Sequence, residues 1–254
     1  MHRMRLNRFI VDLDLRGGPV TLTGQTILKQ IKNVLRMKAG DRLILSDGKG
    51  KEFLAEVSSI TKDAIDADIL EELDNPNEPD IHASLHCSIL KRENFEWVVQ
   101  KACEIGVREI VPIISERTVK TGINEERLSK IMKEAAEQSE RKFLPTLSTT
   151  ITLAEALRRM KKDRLNLFFD RTGTPIKDLS VRSDMENLKN VRDQLKTNLF
   201  IGPEGGWTGR ELQSADENGC IIVQLSKLSL RSETAAVVAS YLVCQRLLMG
   251  CISS

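Results

Sequence analysis

Hydrophobic and polar positions change rhythm part-way along this chain. Over the first seventy residues, short alternating segments at Asp41 to Ser46, Phe53 to Ile60 and Ala64 to Leu70 are separated by turn signals such as Asp47-Gly48. Period-two alternation with frequent turns predicts a small β-rich domain. Glu71 to Asp80 is acidic, carries Pro76 and Pro79, and reads as a linker. Beyond it strands and helices take turns, which predicts an α/β domain with a mainly parallel sheet. Ile81, Ala83, Leu85, Cys87 and Ile89 alternate as a strand, and Phe95, Val98, Val99, Ala102 and Ile105 recur at helical spacing. A strand over Val107 to Ile114, an amphipathic helix over Glu125 to Lys142 and a strand over Leu165 to Phe169 follow. The polar stretch Asp170 to Lys196 has no readable period. The last helix, about Ala235 to Leu248, is apolar nearly all round and rich in small residues. Such a helix is buried on most sides, by its own domain or by a second subunit.

The most informative local pattern lies just before that helix. Leu199 to Ile201 run directly into Gly202-Pro203-Glu204-Gly205-Gly206-Trp207. A strand that empties into a glycine-dense loop leaves backbone N–H groups open to a ligand. Thr208 and Glu211 then form a capping box, Gly219 closes the short helix, and Cys220 to Leu225 reads as another strand. A second loop, Ser226 to Leu230, leads through Arg231-Ser232-Glu233-Thr234 into the final helix. In a parallel sheet, two such loops open on the same edge, where ligands of open α/β sheets sit. GPEGG alone fits a tight turn as well as a ligand loop. Neither a phosphate-binding G-x-x-x-x-G-K-[ST] nor a dinucleotide G-x-G-x-x-G is present.

Composition narrows the classes further. The 254 residues suffice for one large or two small domains, and 38 basic against 36 acidic side chains leave a net charge of +2. Local clusters therefore decide whether nucleic acid is a partner. Arg3, Arg5, Arg8 and Arg16 crowd the start with few acids between them and suit phosphate contacts, as do Lys91 and Arg92 after a strand. Arg158, Arg159, Lys161, Lys162 and Arg164 read as a solvated face. Five widely spaced cysteines in apolar runs read as core thiols of a reducing compartment. Three histidines offer no metal site, and His82 and His86 read as ordinary residues on one face of a strand. With neither a signal-peptide core nor a membrane-length apolar run, a cytoplasmic protein is expected.

Arg92-Glu93-Asn94-Phe95-Glu96-Trp97 through Val107, Val111-Pro112, Ser115-Glu116-Arg117, Glu137-Gln138-Ser139-Glu140-Arg141, Leu199 to Trp207 and Leu225 to Ala235 together resemble the bacterial small-subunit rRNA methyltransferase E family, of the SPOUT class. The resemblance covers essentially the full length. It implies a PUA-like β-barrel RNA-binding domain over residues 1–74 and, over 75–254, a methyltransferase domain tied in a trefoil knot. It also implies a homodimer, S-adenosylmethionine as cofactor, and methylation of N3 of one uridine in 16S rRNA. The cofactor loops would be Phe169 to Thr172, with Phe169, Asp170 and Thr172; the GPEGG loop, with Ile201, Gly202, Pro203, Gly205 and Gly206; and the last loop, with Leu225, Ser226, Leu228 and Leu230. Ser226 stands where the family commonly has glycine, and Leu228 where it commonly has arginine. Serine visits positive φ less freely than glycine.

Uridine N3 carries a proton, so a site for this chemistry must remove it and stabilise the resulting anion. Arg231 is the candidate for the uracil oxyanion, and Glu204 or Glu233 for the base. The two acids have structural readings as well, Glu204 as a pin for its loop and Glu233 as a first-turn helix acid. None of the cysteines lies in a candidate loop, which disfavours methylation through a cysteine adduct. Two alternatives stand beside this reading: a ribose 2′-O-methyltransferase of the same fold class, and a non-catalytic RNA-binding ribosome-assembly factor.

Overall fold

A computed structural model describes residues 6–15, 17–161, 163–179 and 195–245. The chain divides into two compact units, Met1–Glu78 with Ala136–Leu144, and Pro79–Ala135 with Pro145–Ser254.

The first unit is built on a five-stranded sheet. Its strands are β1 (Arg8–Ile10), β2 (Gly18–Leu22), β3 (Arg42–Ser46), β4 (Glu52–Ile60) and β5 (Ile65–Leu73), in the order β1-β3-β4-β5-β2. All neighbours are antiparallel except β1, which runs parallel to β3. A short helix α1 (Gln25–Lys29) continues into a wider π turn at Gln30–Val34. The alternation read in the sequence has its physical cause here: Leu43, Leu45, Ala55, Val57, Ile65 and Ala67 all point into one core with Phe9, Leu22 and Ile31.

The expected linker is instead built into this unit. β5 runs on to Leu73, the Asn75 amide donates to the Glu140 carbonyl at 3.0 Å, and Glu78 is held in a buried ion pair. Its partner is Arg141, whose Nε and Nη2 donate to the two carboxylate oxygens at 3.0 and 3.2 Å. The Lys142 and Phe143 amides donate to the same carboxylate. Helix α3 (Glu125–Gln138) accordingly stops short of the predicted Lys142, because Glu140 takes φ 60° and turns the chain inward. Glu137 accepts from the Ile10 amide at 2.9 Å. The motif Glu137-Gln138-Ser139-Glu140-Arg141 is thus a clip that closes the first unit.

The second unit carries an all-parallel seven-stranded sheet. Its strands are β6 (Ile81–Ser88), β7 (Glu109–Ile114), β8 (Thr146–Leu147), β9 (Ile151–Thr152), β10 (Leu165–Pro175), β11 (Leu195–Ile201) and β12 (Ile221–Gln224). The order is β12-β10-β11-β6-β7-β8, with β9 also on β7. Helices α2 (Arg92–Ile105), α4 (Leu153–Arg159), α5 (Gly209–Glu217) and α6 (Ser232–Cys244) connect the strands or follow them. Period two separates the faces of β6: Ala83, Leu85 and Cys87 are fully buried on the side opposite His82, Ser84 and His86. A cluster of Phe168, Phe200 and Trp207 packs with Leu153, Leu157 and Ala215 from α4 and α5.

β12 lies at the sheet edge beyond β10, yet α6 packs on α2, β6 and β11. After β12 the chain therefore returns across the carboxyl ends of the central strands. That return carries residues 225 to 231 over the place where β10 and β11 end. α6 buries Ala236, Ala239, Ser240 and Val243, and its Val238 and Tyr241 face outward, 36% and 50% exposed. It starts at Ser232, earlier than the predicted Ala235, and the last predicted residues, 246 to 248, lie outside the described part. Among the described residues no helix is long and apolar enough to cross a membrane, and no cluster of His, Cys, Asp or Glu has the makings of a metal site.

Candidate active site

Two strand-to-helix loops and the outer part of β10 meet at the carboxyl edge of the second unit's sheet around a cavity of about 720 Å³. The outer part of β10 contributes Phe169, Asp170 and Arg171; the GPEGG loop contributes Ile201 to Trp207; the returning chain contributes Leu225, Ser226 and Leu228 to Glu233. Lys91 and Asn94 close the wall from the start of α2. Eleven of the twelve predicted cofactor-loop residues border this space. The exception is Thr172, whose amide and hydroxyl both donate to Asp170 Oδ1, at 2.9 and 2.7 Å, in an exposed turn. β10 does not end at Phe169 as predicted; it resumes pairing with β12 at Thr174 after an irregularity, which carries Thr172 past the cavity.

The GPEGG loop is held from several sides. Trp207 lies against Phe168, with ring centroids 4.4 Å apart, and its Nε1 donates to the Phe169 carbonyl at 3.0 Å. That ties the loop to the end of β10. A Cβ at Gly202 would stand 3.0 Å from the same indole, and Gly206 takes φ 67°. Both positions therefore favour glycine. Arg117 Nη1 donates to the Gly205 and Trp207 carbonyls at 2.8 and 3.2 Å. Glu211 completes the predicted capping box at α5 and also accepts from the Glu116 amide at 2.8 Å. The Ser115-Glu116-Arg117 motif is thus a clamp on the loop, a role that depends on contacts some ninety residues away in sequence.

The returning loop needs no left-handed residue. Among described non-glycine residues only Arg36 and Glu140 have positive φ, so Ser226 adopts an ordinary conformation and its Oγ accepts from the Leu228 amide at 3.0 Å. Here the serine hydroxyl supplies a local turn contact. Leu228 itself is 75% exposed.

The three candidate catalytic side chains all border the cavity but differ in their ties. Glu204 Oε1 accepts from the Lys91 amide at 3.2 Å, which pins the GPEGG loop to the start of α2. Glu233 is 13% exposed, and its Oε2 is buried without a hydrogen-bond partner among the described residues. A buried carboxylate oxygen left unpaired is a cost to the fold. Arg231 is 86% exposed and sits 3.9 Å from Glu233 Oε1, a loose pair that leaves the guanidinium free to turn. Beneath them Cys87 is fully buried, and burial, reinforced by the charges of Glu204 and Glu233, pushes its thiol well above the ordinary range. It is no nucleophile.

The predicted RNA contacts separate. Arg3, Arg5 and Arg16 lie outside the described residues. Arg8 is a correction: its guanidinium turns inward to Glu52, with Nε 3.0 Å from one carboxylate oxygen and Nη2 donating to the other at 3.1 Å. Both side chains are almost wholly buried, so Arg8 has no face for a phosphate. Lys91 borders the main cavity, whereas Arg92 borders a second, smaller one. His86 stacks on Phe200 with centroids 4.5 Å apart, and burial lowers its pKa to about 4, so it is a neutral strand residue. Arg159, Lys161 and Arg164, expected on a solvated face, border a small polar hollow with His86 and Glu109.

A parallel sheet whose returning chain covers a glycine loop belongs, by sequence comparison, to a known class. Residues 76–243 match the family model of an RNA methyltransferase domain, and residues 31–70 that of an RNA methyltransferase PUA domain. The protein class is therefore an RNA methyltransferase with a PUA domain. The chain is 31% identical to the ribosomal RNA small subunit methyltransferase E of a Synechocystis strain, over 87% of this chain and 71% of that protein. It is 28% identical to the Bacillus subtilis protein of the same name, over 92% and 94% of the two chains. The crystal structure of a ribosomal RNA small subunit methyltransferase E from Neisseria gonorrhoeae, bound to S-adenosyl methionine, superposes with a TM-score of 0.83 at 32% identity, covering 96% of this chain and 98% of that one. This chain belongs to the ribosomal RNA small subunit methyltransferase E family.

Proposed function

We propose that the protein methylates N3 of one uridine in 16S rRNA, using S-adenosylmethionine, and that residues 75–254 carry the chemistry while residues 1–74 serve as a PUA-like RNA-binding domain. The carrying observation is the cavity at the carboxyl edge, bordered by the outer part of β10, by the GPEGG loop and by the returning chain with Arg231 and Glu233. The residues present suit the cofactor: the open backbone of Gly202 to Gly206 admits its ribose and methionine parts, and the loop from Leu225 to Leu230 offers main-chain groups and apolar side chains to its adenine. When bound, it supplies a methyl group on a cationic sulfur, a leaving group that needs no proton.

The chain's own residues then have two tasks. Glu233 would accept the N3 proton, directly or through water, which would leave the N3 lone pair free for the methyl group that the cofactor would supply. Arg231 sits beside it and stabilises the negative charge that develops on the uracil oxygen. Glu204, tied to the Lys91 amide, positions the loop. Lys91 and Arg92, with Arg3, Arg5 and Arg16, supply phosphate contacts. The ribose 2′-hydroxyl alternative lacks a specific observation in its favour, as does the non-catalytic one.

Calorimetric titration with S-adenosylmethionine tests the cofactor assignment. A Cβ at Gly205 would stand 3.3 Å from Arg117 Cβ, so Gly205→Val pushes on the side chain that clamps the loop. The expected result is measurable binding by the parent and a loss of about 3 kcal/mol in the variant, about a hundredfold in Kd. No binding by the parent, with or without RNA, would reject the reading. Mass spectrometry of nucleosides from methylated rRNA identifies the atom modified.

The same reading includes a cytoplasmic homodimer and a knotted second domain, formed as the chain comes back over the strand ends. The outward Val238 and Tyr241 on α6, and Trp97 on the α2 helix that packs with it, support a subunit contact there. Sedimentation at micromolar concentration is expected to give twice the chain mass, and Tyr241→Glu to shift the protein toward monomer.

A further inference from the structure

We propose that a second cavity of about 300 Å³, at the start of α2, holds one nucleotide flanking the target uridine; this rests on the rRNA reading above. It is lined at its floor by Ile89, Leu90, Phe95 and Leu128, and at its rim by Arg92 and Lys120. The volume is at the lower end of the roughly 300–1,000 Å³ typical of ligand pockets, room for a nucleobase.

Continuity with the main site places it. Lys91 borders the methylation cavity and the adjacent Arg92 borders this one, so a single turn at the carboxyl end of β6 serves both. The Glu204 contact to the Lys91 amide fixes that turn against the GPEGG loop. An RNA strand that delivers its target base to the first cavity meets, on the same turn, residues that border the second.

Charge fits the same occupant. The acid at this rim is Glu96, which accepts from Arg127 at 2.7 and 2.8 Å and from Arg92 Nε at 3.1 Å. Among the lining side chains, Arg92 and Lys120 stand against the one carboxylate of Glu96, beside an apolar floor. Sequence-tolerant recognition of a splayed-out RNA base asks for this combination, with phosphate held by cations and the base laid on apolar surface or a guanidinium plane.

Gly122 lines the cavity, has no strained backbone angle, and a Cβ there meets nothing within 4 Å. Gly122→Phe therefore sets a large side chain at the cavity wall with no clash at its Cβ, and Lys120→Glu reverses an exposed rim charge. The experiment measures methylation of small ribosomal subunits whose 16S rRNA lacks the modification, direct binding of that rRNA by filter retention, and S-adenosylmethionine affinity by calorimetry. For each variant the expected result is at least a tenfold higher KM and Kd for the rRNA substrate, with cofactor Kd changed less than twofold. If Lys120→Glu weakens RNA binding and Gly122→Phe does not, the rim is a general electrostatic surface and the nucleotide site is overturned. Unchanged RNA affinity in both variants also overturns it. A parent that binds the rRNA without methylating it defeats the functional reading while the two affinity comparisons still decide this one; a parent that does neither defeats both.

Discussion

Single-turnover methylation by Arg231→Ala is expected to fall by about 10²–10³, the usual consequence of removing one donor from a developing oxyanion. Glu233→Gln is expected to lose about 10²–10⁴, the range for a displaced general base. Both residues stand on the last loop turn and first helical turn of α6, and both border the methylation cavity. Their side chains are only loosely paired, so neither depends on the other for position. Cofactor affinity should hardly move in Arg231→Ala, since the side chain is almost wholly exposed. Rapid-quench kinetics with small ribosomal subunits and saturating S-adenosylmethionine checks both. An unimpaired Arg231→Ala rate would remove the oxyanion role. A Glu233→Gln rate that recovers fully at high pH would show that the carboxylate acts as a base, because solvent hydroxide then deprotonates N3 unaided. Glu204→Gln serves as the contrast: it keeps an acceptor for the Lys91 amide and should lose little.

Arg141→Ala is expected to destabilise the protein by about 3–5 kcal/mol, the cost of leaving one member of a buried ion pair without the other. Arg141 and Glu78 are 4% and 9% exposed, and the guanidinium meets the carboxylate in a fork of two hydrogen bonds. With the arginine gone, Glu78 keeps the Lys142 and Phe143 amides but remains a buried anion. The clip that joins residues 136–144 to the first unit is then the weak point. Urea unfolding monitored by far-UV circular dichroism should show a lower midpoint, and hydrogen exchange should rise first in residues 136–144 and in β1. The double variant with Glu78→Leu should recover part of the loss, since it removes the uncompensated charge. A loss of unfolding free energy below about 1 kcal/mol in Arg141→Ala would show that the pair contributes little beyond its desolvation cost.

These residues illustrate how unevenly the sequence revealed the molecule. Strand β6 and helices α2 and α5 were legible because their apolar positions follow one period against one core and their ends carry local chemistry, such as the Thr208–Glu211 box. The two glycine and serine loops were legible for the same reason: a strand, a turn and a cap are all written within ten residues. Arg8 was misread because a basic residue near acid-poor neighbours looks exposed, and its acid partner, Glu52, lies on another strand. The predicted linker was misread because Glu78 is buried by an arginine more than sixty residues away.

The sequence by itself determined the alternation of elements, the β-rich first part, the α/β second part and the loops that face a ligand, since each depends on periodicity and on residues close in the chain. Only the tertiary structure decided that Arg117 clamps the glycine loop, that Glu204 is tied to the Lys91 amide, and that Thr172 and Arg8 belong to other places. Those facts are set by which strands lie side by side in the sheet and by the return of the chain over their carboxyl ends. The energy that fixes them comes from burying side chains and pairing buried polar groups far apart in sequence, which no local pattern records.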